Sequence, residues 1–287
     1  MMVFNNETPL FKYGNNQWVT CGDVRNALKN VDAADCKVLF LHTDLSFGAM
    51  NRQLKRKELC EILYQLIMEL GVETVVFPTF TFSYGNRKDF DVRTTPTKMG
   101  MLNEWVRKLP EAMRSVDPIM SVVVIGKNKD LLNITGEKSL GKGSIFDNLH
   151  HTEGVRFLFL GTRFGLCGTH MHYVEEVLRV PYRYDMDFYG KLTDYTGHTV
   201  DDHRIIFVRY RDVIPAVPLS FEEMLIKKGI MKYSPLGNSS VSSIMEADVY
   251  RECYDALSKN INAFLAEPYT THPLVKDYHF GNVTTVQ

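Results

Sequence analysis

Short apolar runs alternate with helical patterns in the first part of the chain. Residues 37–41 and 74–78 each read as a strand buried on both faces, because apolar side chains follow one another without alternation. Between these runs, apolar positions recur at helical spacing over residues 52–70, and Gly71 follows where a helix end favours glycine. This order predicts a β-α-β unit with parallel strands.

The same alternation of elements continues to about residue 179. Apolar runs at 121–126 and 155–161 predict two further strands, and short helices are predicted over 102–108 and from Ser144. Residues 79–98 have no sustained period and predict a long loop of the kind that often carries function.

Beyond Arg179 the pattern becomes tyrosine-rich and alternating. Antiparallel strands are predicted near residues 181–184, 190–193 and 205–210. Helical periods follow at 219–232 and 246–267, and the polar tail from Pro268 is predicted to be loosely held.

These elements predict an α/β protein: a central, largely parallel sheet flanked by helices, with an antiparallel, strand-rich C-terminal part. We expect a single domain spanning residues 1–287. The alternative subdivision is two closely packed lobes, about 1–178 and 179–287.

Composition narrows the class of protein. The 287 residues are 45% hydrophobic and 23% charged, and no apolar run reaches the roughly 20 residues of a membrane span. No signal peptide is recognisable, so a cytoplasmic location is expected. With 33 basic against 34 acidic residues and no basic run, a nucleic-acid partner is not expected. Five scattered cysteines without a close pair predict neither a disulfide framework nor a cysteine zinc site.

The strongest candidate for chemistry follows the strand at 155–161. A glycine-containing loop leads into Thr169-His170-Met171-His172-Tyr173-Val174-Glu175. If a helix begins near Thr169 as its N-cap, His172 and Glu175 lie three apart on one face. The carboxylate can then orient the imidazole, which removes a proton from an attacking amine. The same spacing is common in solvated surface pairs, so the pattern alone leaves both interpretations open.

Two further hypotheses for this region are a bound metal ion and a thiol nucleophile. His170 and His172 could ligate a metal with Glu175, but residues two apart point to different sides of a helix, and no metal is expected. Cys167 leaves open the hypothesis that a cysteine thiol is the nucleophile. The pair His150-His151 is predicted to cap a helix C-terminus.

Two turns have the composition of phosphate-binding sites. The first strand ends in a polar turn at His42–Ser46, and Gly141-Lys142-Gly143-Ser144 precedes a predicted helix. Backbone amides in such places can receive phosphates. Neither turn has the Walker pattern or the dinucleotide glycine pattern.

Taken in order, these stretches resemble the aminoglycoside 3-N-acetyltransferase family. The resemblance covers about half of the chain, and the matching stretches are residues 38–48, 74–82, 90–126, 141–149 and 155–176. It implies an acyltransferase that uses acetyl-CoA as cosubstrate and no metal. Thr169, His172 and Glu175 match the family's T-x-x-H-x-x-E pattern. This implies that His172 is the base, that Glu175 orients it, and that Thr169 stabilises the oxyanion or the thioester carbonyl.

The resemblance also implies where acetyl-CoA and the acceptor bind. The cofactor residues would be His42, Thr43, Asp44, Leu45, Ser46, Arg114, Ser115, Gly141, Gly143 and Ser144. The acceptor residues would be Phe82, Tyr84, Asp117 and Glu176, although core packing is the expected role of at least two aromatic residues in the loop.

The sequence departs from the family where Asp117 replaces the usual histidine of R-S-x-H-P. A polycationic aminoglycoside calls for an acidic site, whereas the net charge is -1 and Arg87, Lys88, Arg93 and Lys98 lie in the candidate substrate loop. We therefore expect a nucleotide-linked amino-deoxy sugar, as used in surface polysaccharides. The alternatives are an aminoglycoside, as in antibiotic resistance, or a non-catalytic protein that binds CoA or a sugar nucleotide. A homodimer is left open.

Overall fold

The computed structural model describes residues 4–278, which form thirteen strands and eight α-helices. The strands are β1 (Pro9–Tyr13), β2 (Gln17–Thr20), β3 (Val38–Thr43), β4 (Ala49–Met50), β5 (Thr74–Pro78), β6 (Phe90–Asp91), β7 (Met113–Arg114), β8 (Val122–Gly126), β9 (Val155–Leu160), β10 (Arg183–Thr193), β11 (Thr199–Arg209), β12 (Met231–Leu236) and β13 (Ser239–Met245). The helices are α1 (Cys21–Asn30), α2 (Arg56–Met68), α3 (Met101–Val106), α4 (Ile145–His150), α5 (Phe164–Cys167), α6 (His170–Leu178), α7 (Leu219–Lys227) and α8 (Glu246–Lys259). In this described part, no helix is long and apolar enough to cross a membrane.

A seven-stranded mixed sheet lies at the centre, in the order β12-β13-β9-β3-β5-β8-β7. The three middle strands β9, β3 and β5 are parallel, whereas their neighbours β13 and β8 run antiparallel to them. The predicted α/β class is confirmed, with the parallel part confined to the middle of the sheet.

The middle strands separate two hydrophobic cores. In β3, Val38 and Phe40 face the core formed with α4, α6, α7 and α8, while Leu39 and Leu41 face the core formed with α1, α2 and α3. Successive side chains of a strand point to opposite faces, so a strand covered on both sides must be apolar at every position. This is why the run is continuous in the sequence.

The tyrosine-rich region forms one long hairpin. Strands β10 and β11 pair over their full length, from Arg183 opposite Arg209 to Thr193 opposite Thr199. The separate strands predicted at 181–184 and 190–193 are therefore parts of a single strand. The short β6 adds to the hairpin in parallel through Leu192 and Thr193.

Two predicted helices are shorter than the pattern suggested. The helix expected over 219–232 ends at Lys227, and Gly229 (φ +75°) turns the chain before β12 begins at Met231. The helix expected over 246–267 ends at Lys259, because Asn260 is extended. The strands that were not predicted are β1, β2, β4, β6, β7, β12 and β13. Residues 279–287 of the predicted tail lie outside the described residues.

The ends of β3 and β9 meet at a glycine. The Asp44 amide donates to the Leu160 carbonyl over 2.9 Å, which extends the pairing by one residue. Gly161 follows with φ +78°, and a Cβ at this position would collide with the Asp44 carbonyl oxygen. A glycine is therefore required where the turn after β3 and the path to α6 come together.

Candidate active site

Helix α6 is reached from the end of β9 through one turn of helix, α5. Thr169 directly precedes α6, but its backbone is helical (φ -56°, ψ -29°) and its hydroxyl donates to the Cys167 carbonyl over 3.2 Å. The prediction that the Thr169 side chain caps the helix is therefore wrong. The hydroxyl is turned toward α5, which ends at Cys167, and the Met171 and His172 amides donate instead to the carbonyls of Gly168 and Thr169.

His172 and Glu175 lie on one face of α6, as their spacing predicts. Nδ1 of His172 is 2.7 Å from Oε2 of Glu175. The Glu175 side chain is only 3% exposed and that of His172 is 30% exposed. A solvated surface pair does not fit this burial. With Nδ1 bonded to the carboxylate, Nε2 of His172 is the nitrogen available for proton transfer.

Three side chains hold the Glu175 carboxylate. Besides His172, the Tyr182 hydroxyl donates to Oε1 over 2.9 Å and the Arg183 guanidinium lies 2.7 Å from Oε2. Burial alone would raise the pKa of Glu175, but the charge of Arg183, the bonds from His172 and that from Tyr182 lower this pKa to about 2. The carboxylate is therefore ionised at neutral pH.

Arg183 also sets the charge state of the imidazole. Its Nη2 lies 2.9 Å from Nδ1 of His172, so a permanent cation is adjacent to the ring. Burial, followed by the charge of Arg183, lowers the pKa of His172 and outweighs the opposing effect of Glu175. His172 is neutral at neutral pH, which is the form that accepts a proton.

The sequence reasoning missed both Tyr182 and Arg183. Arg179 follows α6 in the left-handed conformation (φ 50°) and reverses the direction of the chain. This reversal brings Tyr182 and Arg183 back to Glu175 on the preceding helix. The turn carries no glycine, so no local motif marked it.

The turn after β3 lies beside the route to α6, because Thr43 pairs with Leu160 of β9. His42 is buried and stacks on Phe159 with ring centroids 5.2 Å apart. Burial, followed by nearby His170, lowers the pKa of His42 to about 3. His42 and Thr43, predicted to lie in the turn, belong to β3, and the Thr43 hydroxyl donates to Oδ1 of Asn103 over 2.9 Å. In the turn that follows, Leu45 is half-buried, and Asp44 and Ser46 are exposed.

Arg114 and Ser115 are committed to bonds within the fold. The Arg114 guanidinium is buried and donates to the carbonyls of Thr79 and Thr95 over 2.8 and 2.6 Å. Burial lowers the pKa of Arg114 to about 9. The Ser115 hydroxyl accepts from the Val122 amide. In this arrangement the two residues fix the loops around them and do not point a free charge at a phosphate.

The turn Gly141–Ser144 caps α4 and lies against α6. The Gly143 amide donates to Asp147 over 2.8 Å, and the Ser144 hydroxyl accepts from the Asp147 amide. A Cβ on Gly141 would come within 3.3 Å of the Glu176 side chain. The turn is therefore close to the helix that carries His172, although the Gly143 amide already has an acceptor.

The predicted acceptor residues differ in accessibility. Tyr84 is buried with its hydroxyl 3.0 Å from Asp202, and Glu176 is buried and paired with Lys138 over 2.7 Å. Asp117 is fully buried and accepts from two backbone amides and from Ser139. Phe82 is half-buried and has φ 53°, a strained conformation for a bulky residue of the kind found at functional sites. Phe80 and Tyr84 pack in the core, as expected for two of the loop aromatics.

The structure gives little support to two alternative hypotheses, a Cys167 nucleophile and a metal ion bound by His170, His172 and Glu175. Burial raises the pKa of Cys167 to about 12, so its thiolate is scarce at neutral pH. His170 is buried and its Nε2 lies 2.6 Å from Glu246, whereas His172 bonds to Glu175. The two histidines point to different sides of α6, as their spacing predicts.

A neutral histidine held by an ionised, buried carboxylate is suited to an enzyme that deprotonates a nucleophile during group transfer. The family model of aminoglycoside 3-N-acetyltransferases matches residues 41–258, well over half of the chain. The chain belongs to this family, and it is an acyltransferase of the class that uses acetyl-CoA as cosubstrate. The resemblance read from the sequence is confirmed.

Solved structures share the fold at low sequence identity. The YokD protein from Bacillus subtilis is 19% identical, with a TM-score of 0.68 over 89% of this chain and 96% of that chain. AAC-IIIb in a binary complex with CoASH is 16% identical, with a TM-score of 0.67 over 87% and 98%. AAC-VIa bound to sisomicin is 16% identical, with a TM-score of 0.67 over 83% and 97%. No curated protein matches the chain by sequence.

Proposed function

We propose that this protein acetylates an amine of an aminoglycoside-type amino sugar, with His172 as the general base. The carrying observation is the bond between His172 and the buried, ionised Glu175. The amine nitrogen forms a bond to the thioester carbonyl carbon while His172 takes the amine proton. The carbon–sulfur bond then breaks, and His172 returns the proton to the CoA thiolate. In this proposal the Thr169 hydroxyl turns from the Cys167 carbonyl and donates to the oxyanion.

In this proposal acetyl-CoA binds along the edge where β3 ends and α6 begins. The segment His42–Ser46 contributes its two exposed residues, Asp44 and Ser46, and the turn Gly141–Ser144 lies against Glu176 of α6. Arg114 and Ser115 act by holding the loops in place. A single acetyltransferase domain fits this arrangement, because β13 pairs with β9 in the sheet that carries the site.

Family membership and the sisomicin complex of a structural neighbour favour an aminoglycoside as acceptor. A second acceptor class, the nucleotide-linked amino sugar, is kept for one reason. Three carboxylates of strands β10 and β11 are paired with a cation, which leaves less negative charge for a polycation: Asp185 with Arg179, Asp201 with Lys191, and Asp202 with Arg204.

The acceptor is tested by incubating the protein with acetyl-CoA and either acceptor class while free thiol is measured. We expect turnover with aminoglycosides. Turnover with the nucleotide-linked sugar alone would replace the proposed acceptor. Binding of CoA without thiol release from any acceptor would make the protein a non-catalytic binder.

The base is tested with His172→Ala, which we expect to lower kcat/KM by about 10²- to 10⁴-fold. His203→Ala is the matched control, because His203 is also 30% exposed and also bonds to a carboxylate, that of Asp187. We expect this control to retain activity. A His172→Ala variant as active as the His203→Ala variant would exclude His172 as the base.

A further inference from the structure

Three ligand-type side chains from three helices converge away from His172. Glu246, at the start of α8, accepts from Nδ1 of His150 over 2.9 Å and from Nε2 of His170 over 2.6 Å. These ligand atoms all lie within 4.8 Å of one another. His150 closes α4, His170 opens α6, and both rings point at the same carboxylate oxygen.

We propose that His150, His170 and Glu246 form a binding site for a divalent transition-metal ion, with Zn²⁺ as the best match. Two imidazole nitrogens and one carboxylate oxygen are a common protein ligand set for zinc. His170 and Glu246 are buried, whereas His150 is 26% exposed. The ion can reach the site along the His150 ring, where a water molecule completes the tetrahedron.

Zinc binding requires the three ligand atoms to rearrange. Zinc bonds of about 2.0–2.1 Å in a tetrahedron set ligand atoms roughly 3.3 Å apart. The contacts of 2.9 and 2.6 Å to Glu246 would therefore open, and the two histidine nitrogens, which lie within 4.8 Å of each other, would approach by up to about 1.5 Å. His150 has room to move because it is partly exposed. Its ring is held on one side by Tyr250, stacked with centroids 4.0 Å apart, which keeps Nδ1 facing Glu246 during that movement.

Metal binding changes the tautomer of both rings. Each ring would bind through the nitrogen that now donates to Glu246, so its proton moves to the other nitrogen. In His170 that nitrogen is Nδ1, a buried atom without a hydrogen-bond partner among the described residues. The change breaks no existing bond there, but it leaves a buried N–H unpaired, which is a cost that the metal bonds must exceed.

A bound ion would tie α6 to α4 and α8. His170 and His172 point to different sides of α6, so the ion would not occupy the proposed base. The expected consequence is stabilisation of the folded chain, because binding to the folded state alone raises its stability.

The test uses the full-length, untagged chain after treatment with a chelator. We expect titration calorimetry with ZnCl₂ to give one ion per chain, and a hundredfold excess over Kd to raise Tm by several degrees. His150→Ala is expected to weaken zinc binding at least tenfold. His151→Ala is the matched control, since the neighbouring ring is exposed and bonds to the Asp147 carbonyl instead.

Glu246→Gln provides a second, shape-conserving variant that removes the anionic ligand, and it should also weaken binding at least tenfold. The proposal is overturned if the wild-type chain binds no zinc, or if His150→Ala and Glu246→Gln bind as tightly as wild type. If His150→Ala and His151→Ala lose the same amount of zinc affinity, the ion binds at a different surface site, and the proposal is overturned as well.

Discussion

The Arg183 guanidinium lies 2.7 Å from the Glu175 carboxylate, and their side chains are only 5% and 3% exposed. The carboxylate that orients the proposed base is therefore balanced by a buried cation, not by solvent. Because Arg183 already compensates the negative charge of Glu175, His172 does not need a positive charge of its own. The arrangement explains how a histidine next to a carboxylate remains neutral.

We predict that Arg183→Met moves the acidic limb of the kcat/KM–pH profile to higher pH. Burial and Arg209 still lower the pKa of His172, but without the charge of Arg183 the opposing effect of Glu175 weighs more. This pKa therefore rises, and a higher pH is needed to obtain the neutral base. Arg183→Lys retains a positive charge and should leave the limb close to wild type. Arg179→Met, which removes a half-exposed arginine of the same region, is the control. An unmoved limb in Arg183→Met would contradict this role.

His42 should make stability depend on pH. Its pKa is lowered to about 3 in the folded chain, below the ordinary value of about 6.5. As the pH falls from 6.5 toward 3, the unfolded chain takes up a proton that the folded chain refuses, so folded stability decreases by about 1.4 kcal/mol per pH unit.

His42→Leu removes this titration while it fills a similar space against Phe159. We expect the free energy of unfolding, measured by urea titration between pH 6 and pH 4.5, to fall less steeply in this variant. His198→Leu, at an exposed position in the hairpin turn, is the control. Identical slopes for wild type and His42→Leu would contradict the prediction.

Gly161→Ala should destabilise the protein far more than Gly229→Ala. Both glycines have positive φ (+78° and +75°), so both substitutions carry similar backbone strain of about 1 kcal/mol. Only at Gly161 would the added Cβ collide with backbone, the Asp44 carbonyl; nothing lies within 4 Å of a Cβ at Gly229. We expect an additional loss of about 1–3 kcal/mol at Gly161. Equal losses, measured by urea unfolding, would show that the close approach carries no cost.

Regular elements buried on both faces were predictable because burial imposes a local pattern. The runs that became β3, β5 and β9 are apolar at nearly every position, and their limits were predicted to within two residues. Strands β12 and β13 were missed because β12 is an edge strand that contains Pro235 and alternates with polar residues. Their hydrogen-bond partners, not their composition, make them strands.

The sequence by itself determined the family, the succession of central strands and helices along the chain, and the spacing that brings His172 and Glu175 together on one helix face. Each of these follows from local periodicity or from an ordered set of motifs. Only the tertiary structure decided that Glu175 is buried, that Tyr182 and Arg183 hold it, and that His170 faces Glu246. Burial and long-range contacts set the charge states of these groups, and neither is encoded within a few residues of the chain.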